Sequence, residues 1–487
     1  MRKSQSITNG VDWVLLGAVI LLMALGVATV YSTAFDPEHP SIFDFSQVYG
    51  KQIVWISISL FLGILVFLID SEIYRKFALP IFISSMLLLV IVLFMPAKNG
   101  ARAWLGIGSL GIQPGEFAKI AAAILLARYL ADFNQKLQTI RNVLLANTII
   151  LVPMVLILLQ PDAGTFVVFT SFLFVMYREG VTYDPLVLKA VNLLPGVKFK
   201  QTWVGVHFIP ILFVVVFLSI ATLLVSNETI TVDMFPGTTF SGYWGVFVFL
   251  FIFSLVFFFV LRLLLSKRDK KRAIIIATIG FILAVSITKT VDFGFQKLAP
   301  HQKERIELFL GLTDNERAKD GVDYNRNRAI TAVGSGGFSG KGYMNGVLAN
   351  VRSNHVPESE TDFIFCPFAE EWGFIGTSFL ISLYLFILLR IVVIAERQRS
   401  TFNRVYAYSV AMILFYHFGI NIGMSIEFAP VIGIPLPFFS YGGSSMMSFS
   451  IMMFILLKLD SQRKDVLNLP CCSAKYKGES LFLTLRR

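Results

Sequence analysis

Charged residues are scarce in this chain. Asp, Glu, Lys and Arg make up 15% of its 487 residues, against about 25% in an ordinary soluble domain. Hydrophobic residues make up 55%, and the mean hydropathy is +0.71. This composition argues against a water-soluble globule and indicates a protein that lies in a membrane.

Cysteine is also scarce, and two common hydrolase motifs are absent. The three cysteines, Cys366, Cys471 and Cys472, cannot form a disulfide framework, and we interpret them as structural or incidental. The five histidines are scattered without an H-E-x-x-H motif, and no G-x-S-x-G sequence occurs. The sequence therefore disfavours a zinc hydrolase and a serine hydrolase.

Negative charge is in deficit, since 42 Lys and Arg stand against 31 Asp and Glu, a formal net charge of +11. In a soluble protein this excess would suggest a nucleic-acid partner. In a membrane protein, Lys and Arg concentrate in cytoplasmic loops, and those left outside can contact phosphate or pyrophosphate headgroups. We therefore expect a lipid partner and no nucleic acid.

Long apolar runs dominate the chain. A helix needs roughly 20 apolar residues to span the hydrocarbon core, and about twelve stretches come close to this length, two of them short. The sequence thus predicts an all-α, polytopic bundle that forms a single transmembrane domain over 1–487. The predicted spans lie near 12–32, 51–70, 76–95, 116–132, 143–160, 162–178, 206–226, 245–265, 273–291, 373–394, 405–425 and 438–458.

The clusters of basic residues at 2–3, 75–76, 136–141, 267–272 and 397–404 all fall on one side of these spans, which is therefore predicted to be cytoplasmic. Both termini then lie in the cytoplasm, with 461–487 as a tail. The opposite face receives 96–115, 227–244, 292–372 and 426–437. The segment 292–372 is a large outer loop of about eighty residues, and loops longer than about 60 residues translocate largely regardless of charge.

The first outer segment places Arg102 and Trp104 before a helix that carries Glu116 and Lys119. A structural explanation suffices for Glu116, because Pro114 can open the helix and an acidic side chain suits its first turn. Lys119 can pair with Glu116 one turn on. An ammonium inside a spanning helix is nevertheless costly, and such a group is a functional hypothesis by default.

A second break occurs at Gln160–Thr165, where Pro161 interrupts two apolar runs. Asp162 can cap the following helix, and that explanation is sufficient by itself. A polar break at the membrane edge can also line a site.

The large outer loop contains a glycine-rich run, Gly334–Gly342, that includes Lys341. The run does not match the Walker pattern, because Gly342 follows the lysine. A flexible turn and a phosphate-binding role for Lys341 stay open.

Downstream in this loop, Glu358, Glu360 and Asp362 precede the apolar run Phe363–Phe365. Burial against this run should raise the pKa of a carboxyl group towards that of a useful base. Glu370 and Glu371 are predicted to cap the helix that follows.

The last outer segment, 430–445, is apolar but contains three prolines and three glycines. A regular helix cannot continue through it, and irregular backbone at membrane depth must be surrounded by protein or a water-filled cavity. Its N–H groups are candidates to hold an anion, whereas the structural alternative is a tight helix crossing eased by glycine. The candidate substrate-binding residues here are Ser440, Gly442, Gly443 and Ser444.

These residues leave two classes of function open, an enzyme that transforms a lipid-linked substrate and a transporter that moves it. A transporter should show inverted repeats or a polar path at the midplane. We find no convincing repeat and few charges in mid-span, which favours chemistry at the surface.

The same residues resemble the SEDS family (shape, elongation, division and sporulation), and within it the RodA branch. The resemblance covers most of the chain. It is carried by Gly100-Ala101-Arg102 with Trp104, Gln113-Pro114-x-Glu116 with Lys119, Gln160-Pro161-Asp162 with Gly164-Thr165, Gly336-Gly337 with Gly340-Lys341-Gly342, Pro357-Glu358 with Thr361–Phe365, Glu370-Glu371 with Gly373, Asn421-Ile422-Gly423, and Pro437–Ser445.

The resemblance implies a peptidoglycan glycosyltransferase that polymerises lipid II on the outer face of the bacterial inner membrane during elongation. It implies that Asp362 is the catalytic base and that Arg102, Lys119 and Lys341 stabilise the undecaprenyl pyrophosphate leaving group, with Glu116 orienting Lys119. A divalent cation such as Mg²⁺ is compatible with this chemistry, although no ligand cluster in the sequence demands one. The implied partners are undecaprenyl-linked glycan and a class B penicillin-binding protein. A lipid II flippase and a scaffold without activity are the alternatives.

Some positions depart from the family pattern. Glu360 stands where the family has histidine, Gly115 replaces serine, Trp372 replaces leucine, and the glutamine expected near Arg326–Arg328 is absent. Family members have ten spans, against about twelve apolar segments here. We interpret the extra pair as a peripheral transmembrane hairpin inserted within 184–270.

Overall fold

The structure is a computed structural model that describes most of the chain outside 217–321 and the two termini. The described residues are 10–96, 102–106, 111–132, 139–192, 201, 203–216, 322–350 and 356–463, with isolated positions between 251 and 293. Over these ranges the chain is helical, and the sole β feature is an isolated antiparallel bridge between Leu105 and Ile112.

The described helices are given in chain order. They are α1 (Trp13–Ala34), α2 (Val48–Leu68), α3 (Ser71–Val92), α4 (Pro114–Asp132), α5 (Ile140–Leu159), α6 (Ala163–Phe169), α7 (Ser171–Arg178), α8 (Asp184–Val191), α9 (Trp203–Val206), α10 (Val322–Ser335), α11 (Phe365–Glu396), α12 (Thr401–Ser425) and α13 (Gly443–Ser461).

Seven of these helices are long and apolar enough to cross a membrane, namely α1, α2, α3, α5, α11, α12 and α13. The predicted polytopic helical bundle is thereby confirmed, and the protein is a multi-pass membrane protein. The predicted span near 162–178 consists of two short helices, α6 and α7, that separate at Thr170. The predicted span near 206–226 is described only up to residue 216, and the spans near 245–265 and 273–291 lie largely outside the described residues.

Two predicted spans have different bounds in the structure, for reasons visible in the sequence. The last begins at Gly443 and not at 438, because the prolines and glycines before it keep the backbone irregular. The span predicted at 373–394 belongs to the longer helix α11, whose path breaks at Gly373.

The centre of the bundle is formed by α4 packed against α3 and α12, while α13 packs along α2 and α11 along α12. Small residues allow this close packing, because helices in lipid associate through van der Waals contact of their backbones. In α4 the buried small residues are Gly115, Ala118, Ala121, Ala122, Ala123 and Ala127.

Ion pairs define one end of the bundle. Asp12 accepts a hydrogen bond from Arg390 Nε at 2.9 Å, and Arg397 bridges Asp12 and Asp460. Arg404 Nη2 lies 2.7 Å from Glu179 Oε2. These pairs bring the start of α1, the end of α7, the α11–α12 connection and the end of α13 together. The described parts of the predicted outer segments 96–115, 292–372 and 426–437 lie at the opposite end.

Candidate functional site

The irregular segment 427–442 lies at the end opposite the ion pairs, and its later part, 434–440, is mostly buried among helices. Tyr384 of α11 donates a 2.6 Å hydrogen bond to Pro437 O, and Gln52 of α2 donates one of 3.4 Å to Phe439 O. A Cβ on Gly26 of α1 would overlap the backbone of Phe439. Protein thus surrounds this backbone, as its position in the membrane requires.

The backbone donors of this segment bind mainly within the protein. The Ser440 hydroxyl accepts a 2.8 Å hydrogen bond from Leu436 N, so it closes a turn. Tyr441 N donates to Glu360 O at 3.0 Å. The predicted anion contacts of Gly442, Gly443 and Ser444 stay a prediction; the last two open α13, where first-turn N–H groups lack acceptors within their own helix.

Asp362 lies in the turn that precedes α11 and is half-buried. Its backbone carbonyl accepts a 2.8 Å hydrogen bond from Asn421 Nδ2. Its carboxylate faces Gly433, because Asp362 Oδ2 lies 3.1 Å from the position that a Cβ on Gly433 would occupy. Gly433 also has φ +79°, a conformation that favours glycine. The backbone conformation therefore favours glycine at 433, and a side chain there would crowd the carboxylate.

Glu360 lies beside Asp362 in the same turn. Burial and the carboxylate of Glu358 raise the pKa of Glu360, while Lys51 of α2 opposes the shift. The expectation that an acidic group of this turn is desolvated is therefore confirmed for Glu360.

Asp162 caps α6 and lies on the other side of the 427–442 segment. Its carboxylate accepts hydrogen bonds from Thr165 N at 3.0 Å, from Thr165 Oγ1 at 2.9 Å and from Gln113 Nε2 at 2.8 Å. The capping interpretation is thereby confirmed. Gly433 O lies 3.3 Å from the ideal Cβ position of Gly164, so the break at Pro161 joins the surroundings of Asp362.

Arg102 is exposed on the segment that leads to α4. Its amide donates to Gln160 O at 3.2 Å, and its guanidinium makes a long contact of 3.4 Å to Leu93 O. Ser444 anchors the next part of this segment, since its hydroxyl accepts from Gln113 N at 3.1 Å and donates to Gly111 O at 3.2 Å. The structure thus gathers Arg102, Ser444 and Asp162 at the same end of the bundle.

Lys119 and Glu116 lie deeper, inside the helices. The Lys119 side chain is 0% exposed, and its Nζ lies 2.9 Å from Glu116 Oε1 and 2.7 Å from His417 Nε2. Ser448 of α13 donates a 2.9 Å hydrogen bond to the second oxygen of Glu116. Glu116 thus orients Lys119, as predicted, and the ammonium is fully enclosed. Its direct contact with a leaving group stays a prediction.

His417 has a defined tautomer in this cluster. Its Nδ1 lies 3.2 Å from Pro435 O, and a carbonyl can only accept, so Nδ1 carries the proton. Nε2 then accepts from the Lys119 ammonium. The ring therefore connects the buried cation to the 427–442 segment.

Lys341 forms an ion pair with Glu370, with 2.6 Å between Nζ and Oε1. About a third of the lysine side chain is exposed, so one side of the ammonium can be reached from outside the protein. Glu370 also accepts hydrogen bonds from the consecutive amides of Val347, Leu348 and Ala349, at 2.8–3.2 Å.

The predicted capping role of Glu370 and Glu371 is wrong, because the amides that open the helix after the break at Gly373 donate to Gly337 O and Phe338 O and not to these carboxylates. Both carboxylates instead bind neighbouring segments. Glu371 accepts from Ser32 of α1 at 3.0 Å and from Met344 N at 3.2 Å. They therefore connect the outer loop to the bundle.

The glycine-rich run packs against the break in α11. We call this contact, between residues 337–340 and 371–375, the clasp. Gly373 has φ +60° and ψ −159°, which interrupts the helix. The amides freed by this break, Phe374 N and Ile375 N, donate to Gly337 O at 3.0 Å and Phe338 O at 3.2 Å. A Cβ on Gly340 would overlap the backbone of Glu371. The glycines allow two backbones to touch, so the run is packed against α11 and is not a flexible turn. A phosphate-binding role of Lys341 stays a prediction.

Sequence reasoning gave Gln113 and Asn421 no role beyond their place in the family motifs, and it did not single out His417 as a member of this region. His417 and Asn421 are polar residues one turn apart in an apolar span, and this pattern is a signal in its own right. A metal centre has no support in the described residues, where no group of three or more His, Cys, Asp or Glu side chains could hold an ion.

Comparisons with known proteins agree on one family. The model of the cell cycle protein family FtsW/RodA/SpoVE matches residues 12–199 and 276–465. A relative named peptidoglycan glycosyltransferase RodA, from Treponema pallidum, is 30% identical over 93% of this chain and 98% of its own. The peptidoglycan glycosyltransferase MrdB of Escherichia coli is 28% identical over 85% of this chain and 86% of its own.

Solved structures share the fold. A chain from a peptidoglycan synthase complex aligns with a TM-score of 0.60 at 24% identity, covering 93% of this chain and 98% of its own. The rod shape determining protein RodA of Thermus thermophilus aligns with a TM-score of 0.52 at 21% identity and the same coverage. The chain therefore belongs to the FtsW/RodA/SpoVE family of cell cycle proteins and is a SEDS protein of the RodA type.

Proposed function

We propose that this protein is a peptidoglycan glycosyltransferase that polymerises lipid II into glycan strands during cell elongation. The observation that carries the proposal is the position of Asp362, a half-buried carboxylate held against Gly433. Relatives that align over most of their length are named peptidoglycan glycosyltransferases, which supports the same activity here.

In the proposed reaction, the 4-hydroxyl oxygen of the acceptor sugar attacks the anomeric carbon of the growing glycan. The bond from this carbon to the pyrophosphate oxygen breaks as the new glycosidic bond forms, with inversion. Asp362 takes the hydroxyl proton as general base. Undecaprenyl pyrophosphate leaves with the electron pair of the broken bond.

Negative charge develops on the departing pyrophosphate, and preorganised cations stabilise such charge. Arg102 is suited to direct contact because it is exposed at the same end of the bundle as Asp362. Lys341 has one open side but shares its charge with Glu370. Lys119 is enclosed, so we assign it an indirect role through the packing of α4 and α12 in this conformation.

The substrate is anchored in the membrane, so the site should open at the membrane surface. We place the Asp362 end on the outer face of the bacterial inner membrane, the side to which the large loop predicted over 292–372 is assigned. We further propose a class B penicillin-binding protein as partner, bound through spanning helices and this loop. The similarity to a chain of a peptidoglycan synthase complex supports this partner.

Transport of lipid II is the second candidate. It is favoured by one observation, the buried polar group of Glu116, Lys119 and His417 within the bundle, since ionisable residues inside membranes often mark transport paths.

The decisive experiment is polymerisation of labelled lipid II by the purified protein, with and without the transpeptidase. Asp362→Asn should abolish penicillin-resistant polymer formation while leaving folding and partner binding intact. Asp132→Asn serves as the matched control, because that carboxylate lies at the far end of α4. A fully active Asp362→Asn protein would contradict the base assignment. No polymer from a folded, partner-bound wild type would favour transport or scaffolding instead.

A further inference from the structure

Asn421 donates two hydrogen bonds close to Asp362. Its Nδ2 donates to Asp362 O at 2.8 Å and to Ile434 O at 2.7 Å. Both acceptors are carbonyls, so the amide orientation is settled by chemistry. One side chain of α12 therefore joins the turn that carries Asp362 to the 427–442 segment.

These two contacts set the surroundings of the carboxylate. The first holds the backbone of Asp362 itself. The second holds Ile434, next to Gly433, and Gly433 faces Asp362 Oδ2. A shift of α12 relative to either segment would change the distance between the Asp362 carboxylate and the backbone of Gly433.

An asparagine at position 421 carries a cost in stability, because its side chain is polar and buried. Asn421 is 0% exposed inside a membrane-spanning helix, and its Oδ1 has no hydrogen-bond partner among the described residues. A buried amide oxygen without a hydrogen-bond donor carries the full cost of its desolvation. An apolar residue would avoid this cost. What asparagine adds at this position is therefore its two donated hydrogen bonds.

The next turn of α12 braces the same segment. His417, four residues before Asn421, donates from Nδ1 to Pro435 O at 3.2 Å. Consecutive carbonyls, Ile434 O and Pro435 O, are thus held by side chains one turn apart on the same helix face.

We propose that Asn421 is a positioning residue for the glycosyl transfer, which sets the orientation of the Asp362 carboxylate towards the acceptor hydroxyl. This role, which rests on the proposed function, requires no contact between Asn421 and substrate. It acts on the chemical step, because the placement of a general base affects proton transfer more than substrate binding.

The test compares Asn421→Ser and Asn421→Leu with wild type in lipid II polymerisation. Serine is too short to bridge both carbonyls, and leucine keeps the shape without the N–H donors. We expect kcat per folded molecule to fall about 10²-fold, the effect of a displacement near 1 Å, with KM within about twofold of wild type. The control is Ser409→Ala, which removes a buried hydrogen bond from Ser409 Oγ to Val405 O near the other end of α12 and should leave both constants unchanged.

Measuring the same substitution in an Asp362→Glu protein separates a positioning role of Asn421 from a general loss of folded protein. In Asp362→Glu the carboxylate is already displaced, so adding Asn421→Ser should lower its rate much less than it lowers wild type. An equal fold-loss in both backgrounds would overturn the positioning role, as would a wild-type kcat in a folded Asn421 variant. Failure of both Asn421 variants to fold would show that the residue is structural.

These outcomes are distinct from failure of the proposed function. If wild type polymerises and Asp362→Asn does not, a normal Asn421→Ser enzyme refutes the positioning role alone. If Asp362→Asn polymerises normally, the base assignment falls and the role of Asn421 falls with it.

Discussion

At the scale of single residues, the Glu116–Lys119 pair shows what local spacing can and cannot predict. The sequence predicted the pair from its i, i+3 spacing, and the structure contains it. It did not predict His417 and Ser448, which complete the cluster from 298 and 332 residues further along the chain. Only the packing of α12 and α13 on α4 brings these groups together.

Removal of one partner from this pair should destabilise the protein strongly. Breaking a buried ion pair costs about 3–5 kcal/mol, because it leaves an uncompensated charge in the interior. We expect Glu116→Gln and Lys119→Met each to lower the midpoint of thermal unfolding in detergent. The double variant should recover much of the loss, since neither charge is then left alone.

A matched control lies on the same helix. Arg128 and Asp132 of α4 form an exposed pair at 3.7 Å, and such pairs contribute about 1 kcal/mol or less. Arg128→Met should therefore leave the unfolding midpoint nearly unchanged. Single variants at Glu116 and Lys119 with wild-type midpoints would contradict the interpretation of a buried, mutually compensated pair.

At the scale of secondary-structure elements, the clasp between the glycine-rich run and α11 determines how the large outer loop joins the bundle. The composition of the run predicted irregular backbone but not its partner. The partner follows from the break at Gly373, whose freed amides bind Gly337 and Phe338. A hydrogen-bond donor buried without an acceptor is costly, so the break and the clasp require each other.

Gly373→Ala should open this clasp. Alanine at φ +60° is strained, and its Cβ would overlap Gly340 N, so we expect a loss of at least about 2 kcal/mol in stability. Gly334→Ala is the control, because its Cβ would meet nothing within 4 Å and the residue lies in α10. That change should be neutral or stabilising by up to about 1 kcal/mol. Chemical denaturation of the two variants measures whether each substitution lowers or raises the free energy of unfolding. Equal stabilities of the two variants would refute the clasp.

At the scale of the whole molecule, the structure has two chemically different ends. The end with Asp12, Arg397 and Asp460 is joined by ion pairs between helix termini. The other end carries Asp362, Arg102 and the clasp around Gly373. The basic residues of the α11–α12 connection were predicted to be cytoplasmic, and they lie at the ion-paired end.

Cysteine labelling tests which end faces outwards. In a variant whose native cysteines are replaced, Ser339→Cys lies in the clasp and Arg399→Cys in the α11–α12 connection, and both positions are exposed. A membrane-impermeant maleimide should label Ser339→Cys in intact cells and spare Arg399→Cys, whereas lysed cells should show both labelled. The reverse pattern in intact cells would place the site in the cytoplasm and exclude extracellular polymerisation.

Much of the architecture was determined by the sequence itself. Apolar runs of membrane length predicted α1, α2, α3, α5, α11, α12 and α13, because backbone groups in lipid must be satisfied within a helix. Local signals of the same kind predicted the opening of α4 at Pro114 and the cap at Asp162. The predicted hairpin within 184–270 stays a prediction; the family match leaves out 200–275, which falls largely within it.

The tertiary structure alone decided which distant groups share an environment. It enclosed Lys119 between Glu116 and His417, bound Glu370 to three amides of the outer loop, and placed Asn421 between Asp362 and Ile434. Hydropathy and turn residues act over a few positions of the chain. These contacts instead depend on which faces of α4, α11, α12 and α13 meet, and that is set by the complementary shapes of small and large side chains along each helix.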